Sequence, residues 1–203
     1  MKRLLFFACM VLVISNIFGQ TSKSFGIKAG LNVAKVSTNF PIVKSGQESI
    51  MRYQAGVFFD IPLNNAFSFQ PQLLYSGKGL KFAAGNHSHT IKMESLDLPL
   101  LVNFHLSSGF FFGVGPNLGY YISGTNALIE ANNTRETKYT FSGAPFDYKR
   151  LDIGIIGEIG YKHASGIRAS VSYLKGLNNV AELPENTWKS DVLNFSLGYA
   201  IKL

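Results

Sequence analysis

Phe25-Gly-Ile-Lys-Ala-Gly-Leu-Asn-Val-Ala34 alternates without a break: Phe25, Ile27, Ala29, Leu31 and Val33 share one parity, and Gly26, Lys28, Gly30, Asn32 and Ala34 the other. A helix would need its apolar residues three and four apart, so this stretch is a strand whose two faces meet different surroundings. The same period returns at 53–61, 67–76, 95–104, 112–122, 151–160, 167–173 and 193–203, which makes eight strands. One parity carries Phe, Leu, Ile and Tyr. The other is mainly Gly, Ser, Asn and Gln with sparse charges. A soluble barrel would place its apolar parity inside and cover its outside with Lys, Glu and Thr. Small polar side chains instead suit the crowded lumen of an eight-stranded barrel, and large apolar ones suit lipid. Segments of about ten residues also match a tilted strand crossing the hydrocarbon. The chain therefore reads as all-β, an eight-stranded antiparallel transmembrane β-barrel.

The connections alternate long and short: 38–50, 64–65, 81–90, 107–109, 124–149, 163–166 and 178–190. Short periplasmic turns and long outer loops have this order when both termini lie in the periplasm. Pro71, Pro99 and Pro116 fall inside predicted strands, where a closed barrel has no free edge for a missing N–H. A row of bulges near the periplasmic end would accommodate them.

Composition agrees. At 46% hydrophobic and 15% charged, the 203-residue chain is too apolar for disorder and its residue usage is not that of a coiled coil. Met1-Lys-Arg3 followed by an apolar run to Ile14 reads as a secretory signal peptide, with cleavage between Gly19 and Gln20. The domains are then 1–19, signal peptide, and 20–203, barrel. The lone Cys9 leaves with the signal, so the mature chain has no thiol chemistry. Loss of Lys2 and Arg3 leaves 17 basic and 12 acidic residues, a charge of +5. In an exported protein that excess points to anionic lipid rather than nucleic acid.

The segments Ser95-Leu-Asp-Leu-Pro-Leu-Leu-Val-Asn-Phe104, Gly113-Val-Gly-Pro-Asn-Leu-Gly-Tyr120, Asp152-Ile-Gly-Ile-Ile-Gly-Glu-Ile-Gly-Tyr161 and Val171-Ser-Tyr-Leu-Lys-Gly-Leu-Asn-Asn179 extend the reading. Together with Gly26-Ile-Lys-Ala-Gly-Leu-Asn32, and over essentially 20–203, the chain resembles the outer-membrane β-barrel domain family widespread in Bacteroidetes, often labelled porin-family or PorT-like. The resemblance implies a small OmpA- or OmpX-like barrel. For a minority of members it implies a link to type IX secretion and gliding.

Candidate chemistry comes from the charges. Lys28, Asp60, Asp97, Glu158, Arg168 and Lys202 share the lumen parity toward the periplasmic half. Either a selectivity ring or a salt-bridge network would use them, and eight strands leave room for the network. Lys35, Arg52, Lys78, Lys81, Lys92, Lys149, Arg150, Lys175 and Lys189 fall at predicted outer strand ends or in the flanking loops. There they form a possible collar for lipopolysaccharide phosphates, or an ordinary wet rim. His87 and His89 lie two apart on a predicted outer loop and could hold a metal, although no carboxylate or cysteine is near. Trp188 and Tyr148 are placed among the interfacial aromatics. No glycine-rich phosphate loop opens a helix, and no cofactor is expected.

The function expected is non-enzymatic: a monomeric barrel with a filled lumen, serving envelope structure or adhesion. Its long loops would meet an extracellular or secretion-machinery protein, and a PorT-like secretion accessory is the main variant. Two alternatives remain open at this point. One is an outer-membrane enzyme acting on lipid A, which would need a Ser with a His base at the membrane face. The other is a periplasmic lipocalin-like lipid carrier.

Overall fold

A computed structural model describes residues 22–39, 43, 46–84, 87–130, 133–138, 148–181 and 187–203. Gly19, Gln20 and the rest of the expected signal peptide lie outside these residues. Among the described residues there are ten strands: β1 (Ser24–Thr38), β2 (Gln47–Glu48), β3 (Ile50–Pro62), β4 (Phe67–Ala84), β5 (His87–His105), β6 (Phe110–Glu130), β7 (Asn133–Lys138), β8 (Leu151–Lys162), β9 (Ile167–Gly176) and β10 (Trp188–Lys202). Eight of them close a ring in the order β1-β3-β4-β5-β6-β8-β9-β10, every neighbour antiparallel. β1 and β10 complete it over a continuous register from Ser24↔Lys202 to Thr38↔Trp188. β2 and β7 stand outside the ring, paired to β4 and β6.

Parity holds as the sequence implies. Ile27, Leu31, Leu73, Val114, Ile159, Phe195 and Leu197 are exposed on the outer surface. Asn32, Gln70, Gln72, Asn103 and Asn117 are buried inside. A soluble carrier has the reverse arrangement, so the lipocalin-like alternative falls. The lumen is nonetheless more apolar than the sequence reading allows, because Phe58, Leu74, Leu101, Phe111, Tyr121, Ile156 and Leu174 also point inward and are buried.

The short turns have a repeated solution. Leu106-Ser-Ser-Gly109 and His163-Ala-Ser-Gly166 each end on a glycine in the left-handed region, at φ 93° and 92°. Gly109 N–H donates to the Leu106 carbonyl and Gly166 N–H to the His163 carbonyl, both at 3.0 Å. A side chain at either glycine would oppose that backbone.

The other end departs from expectation. Residues 81–84 and 87–90 are strand, because β4 and β5 stay paired up to Ala84↔His87. Part of 124–149 is also strand: β6 continues to Glu130 and β7 folds back along it. Trp188 opens β10, buried against Tyr148 rather than set in the headgroup layer. Hydrophobic burial at the rim outweighs interfacial anchoring for these two rings.

The prolines form the expected row but not the expected bulges. Pro71 pairs with Leu100, Pro99 with Asn117 and Pro116 with Ile155, adjacent positions on β4, β5 and β6. The β4–β5 ladder skips Gln72 and Leu73, and the β5–β6 ladder skips Leu100 and Leu101, without a change of register. The recorded register shift falls elsewhere, between Glu94 and Ser95. Along the proline row the backbones also approach closely, since a Cβ on Gly115 would strike the Leu100 carbonyl oxygen. Gly115→Ala is expected to cost about 1–3 kcal/mol through this backbone clash. Gly157→Ala, where an added Cβ meets nothing within 4 Å, is expected to change nothing. Denaturant midpoints in lipid vesicles compare the two, and equal midpoints would refute the clash.

Candidate functional site: the filled lumen and its outer rim

Side chains fill the lumen in layers. Nearest the short-turn end, Lys28 Nζ donates to the Glu158 carboxylate at 2.7 Å. Arg168 donates to Asp60 at 3.1 Å and to the Gln70 side-chain carbonyl at 2.9 Å. Its guanidinium lies between two rings, 4.9 Å from the centre of Phe58 and 4.5 Å from that of Phe111. Sparing glycines make this possible: a Cβ on Gly26 would strike the Phe58 ring, and one on Gly160 the Phe111 ring. Above this layer Ala34, Leu101, Ile156, Leu174 and Val192 pack together as an apolar plug.

A second ionic layer follows. Lys78 Nζ donates to Asp97 at 2.9 Å and to Asp152 at 3.0 Å. The Ser95 hydroxyl donates to Asp97 at 3.0 Å, and those of Tyr121 and Ser190 to Asp152 at 3.0 and 2.8 Å. Over it lies an apolar cap of Val36, Leu80, Ile91, Met93, Val180, Ala181 and Trp188, with Tyr148 against Trp188. β10 and β8 show this order along one strand: β10 runs Trp188, Ser190, Val192, and β8 runs Asp152, Ile156, Glu158. Buried charges need partners, and the two ionic layers supply them inside a lumen closed by apolar ones.

Of the six lumen charges read from sequence, Lys28, Asp60, Asp97, Glu158 and Arg168 are buried in these networks. Lys202 is not. It has the inward parity but ends β10 at the mouth, where it is exposed. Lys78 moves the other way. Expected in the collar, it is 2% exposed and at the centre of the upper network. Its inward direction was readable, because Ser68, Gln70, Gln72, Leu74 and Ser76 lead to it at period two.

The remaining basic residues occupy the outer rim. The Arg52 side chain crosses Gly77 to pair with Glu94, beside the stacked rings of Tyr53 and Tyr75. Lys81 pairs with Glu48 of β2 at 3.2 Å. Lys92 is half-buried on β5 opposite Gly79, and Lys149 is exposed just before β8. The Arg150 guanidinium donates to the Tyr121 carbonyl at 3.1 Å and lies 5.7 Å from the Tyr120 ring centre. Across β1, β10 and β9, Lys35, Asp191 and Lys175 stand in one row, with Lys189 opposite Ser37 above it.

The histidines are on strands or turns. His87 and His89 sit on β5, not on a loop, with the His89 ring stacked 4.7 Å from that of Phe82. Among the described residues no group of three or more His, Cys, Asp or Glu could hold a metal. Ser68 and His105 do meet, Oγ to Nε2 at 2.7 Å, near Asp60. They lie at the short-turn end, and the Asp60 carboxylate faces Arg168 and Lys162. A hydrolytic triad instead has its acid orient the imidazole.

An exposed apolar belt around a closed ring with a polar and ionic interior defines a transmembrane β-barrel. The chain belongs to the outer membrane protein beta-barrel domain family, whose model matches residues 18–182. No curated protein sequence matches it. Solved structures share the fold at low identity. Ail, the attachment invasion locus protein of Yersinia pestis, is 9% identical with a TM-score of 0.53, covering 89% of this chain and 100% of that one. OprG of Pseudomonas aeruginosa is 14% identical at a TM-score of 0.52, covering 91% and 99%. Neisserial surface protein A is 12% identical at 0.51, covering 86% and 96%. The chain is an outer-membrane β-barrel protein.

Proposed function

We propose that this barrel is a non-enzymatic display scaffold, set in the lipopolysaccharide leaflet, whose raised outer sheet binds a protein partner. The lopsided height of the wall carries the reading. On β4 the exposed apolar belt ends at Tyr75 but the strand runs on to Ala84, on β5 the strand starts at His87 before the belt at Leu96, and on β6 it runs from Ile122 to Glu130. On β8 the belt begins with the first residue of the strand, Leu151. β4 to β7 therefore stand above the membrane as a sheet, while β8 and β9 stop near its surface. The β7 side chains from Arg135 to Lys138 are exposed. Folding a sheet this far beyond the hydrocarbon does nothing for spanning it, and an exposed scaffold-borne surface is where recognition resides. The filled lumen argues against transport. A barrel of this fold, Ail, has been solved in complex with the heparin analogue sucrose octasulfate, so ligand binding is compatible with the fold.

A photo-crosslinking amino acid in place of Arg135 or Thr137 is expected to capture one discrete protein in intact cells. The same group at lipid-facing Leu197 is expected to capture none. A captured secretion-machinery subunit would assign the PorT-like role in Bacteroidetes, and a captured extracellular protein would assign adhesion. Identical products from all three positions, or steady ion currents in planar bilayers, would sink the proposal.

A further inference from the structure

We infer that the outer ends of β1, β10 and β9 form a site for the phosphate of an outer-leaflet glycolipid. The inference rests on the membrane placement proposed above but not on the protein partner. Outward side chains of three strands converge there: Lys35 and Ser37 from β1, Lys189 and Asp191 from β10, Tyr173 and Lys175 from β9. Among the described residues of this cluster Asp191 is the single acid. It accepts from the Ser37 hydroxyl at 2.5 Å and the Tyr173 hydroxyl at 3.1 Å, and pairs with Lys175 at 2.8 Å. Lys175 also reaches the Ser37 oxygen at 3.3 Å. One carboxylate thus offsets one lysine. Lys35 and Lys189 have no ion-pair partner among the described residues, although they occupy diagonal positions across the β1–β10 ladder.

Like charges on a diagonal of about 7–8 Å repel, and an anion between them removes the repulsion. Two lysines, each with three N–H donors, suit a phosphate monoester, which takes several charged donors at once. Elsewhere on the rim Arg52 has Glu94, Lys81 has Glu48 and Lys78 is turned inward, while Lys92 on β5 and Lys149 just before β8 also lack an ion pair among the described residues but stand apart, with β6 between them. What is local is the diagonal pair of lysines on neighbouring strands, so the site is not a uniform collar. Its lipid character follows from what lies next below on the same faces. Leu193, Phe195 and Leu197 of β10 and Leu31 of β1 are exposed and apolar, in position to meet acyl chains while the headgroup meets the lysines. A free phosphate would use only the upper half of such a surface.

The test is binding of bis-phosphorylated lipid A to the folded barrel in nanodiscs, with dephosphorylated lipid A and inorganic phosphate as the other two probes. A lysine near an anionic surface contributes about a fivefold effect on affinity. Lys35→Gln with Lys189→Gln is then expected to weaken lipid A binding by about 25-fold, while Asp191→Asn tightens it. Lys81→Gln with Lys92→Gln, on the opposite wall, is expected to leave it unchanged. Heat-modifiable gel migration checks that every variant remains folded. Equal loss in both double variants, equal binding of dephosphorylated lipid A, or displacement by inorganic phosphate at the lipid's concentration would each overturn the site. None of these results bears on the crosslinks from Arg135 and Thr137, so failure here and failure of the display reading are told apart.

Discussion

Lys78→Met is expected to be the most damaging single substitution in the barrel, at about 3–5 kcal/mol. The methionine fills a similar volume but leaves Asp97 and Asp152, 5% and 1% exposed, without the cation that both face. Breaking a buried pair from one side strands the other charge, and that cost exceeds the net worth of the intact pair. The same logic predicts rescue. Adding Asp97→Asn and Asp152→Asn removes the stranded charges while keeping oxygens able to accept from Ser95, Tyr121 and Ser190. The triple variant is expected to recover most of the loss. Equilibrium unfolding in phospholipid vesicles provides the comparison. A Lys78→Met barrel within about 1 kcal/mol of the parent would show that water reaches this layer and that the lumen is not sealed.

Leu197→Arg should cost about 2–4 kcal/mol, because it places a guanidinium in hydrocarbon near mid-depth. Leu197 is 66% exposed on the outward face of β10 and pairs with Ala29 and Ala169, neither of which offers a polar group to an arginine. Depth is the discriminating variable. Leu203→Arg, at a position 73% exposed beyond the end of β10, should cost only about 0–1 kcal/mol, since the interface hydrates the charge. Equal effects at the two positions would mean that the belt is not in lipid. Both variants are read by denaturant titration of vesicle-inserted protein.

Most of the wall was legible from alternation alone, because a strand between lipid and lumen must separate its two parities. Ile27 and Leu31 face out and Lys28 and Asn32 face in for the same reason that they alternate in the chain. Height was less legible than direction. Lys202 and Lys28 have the same parity, yet only Lys28 is within the enclosed lumen, since Lys202 ends its strand at the mouth. Lys78 lies inside rather than in the collar because β4 runs on past Ser76 with its period unbroken. Asp152 had the right parity, but nothing in one strand names its partner on another. Tyr121, on β6, and Ser190, on β10, meet the Asp152 carboxylate only because the ring closes.

The sequence by itself determined the strand period, the lipid-facing set and the tight turns at one end, since each follows from local backbone geometry and from the solvent on each face. Only the tertiary structure decided which charges are neutralised. Ring closure sets Lys78 between two aspartates and crosses Arg52 to Glu94, while it leaves Lys35 and Lys189 side by side. Those pairings cross from strand to strand, and their distances depend on register and strand height, quantities that alternation along one strand does not contain.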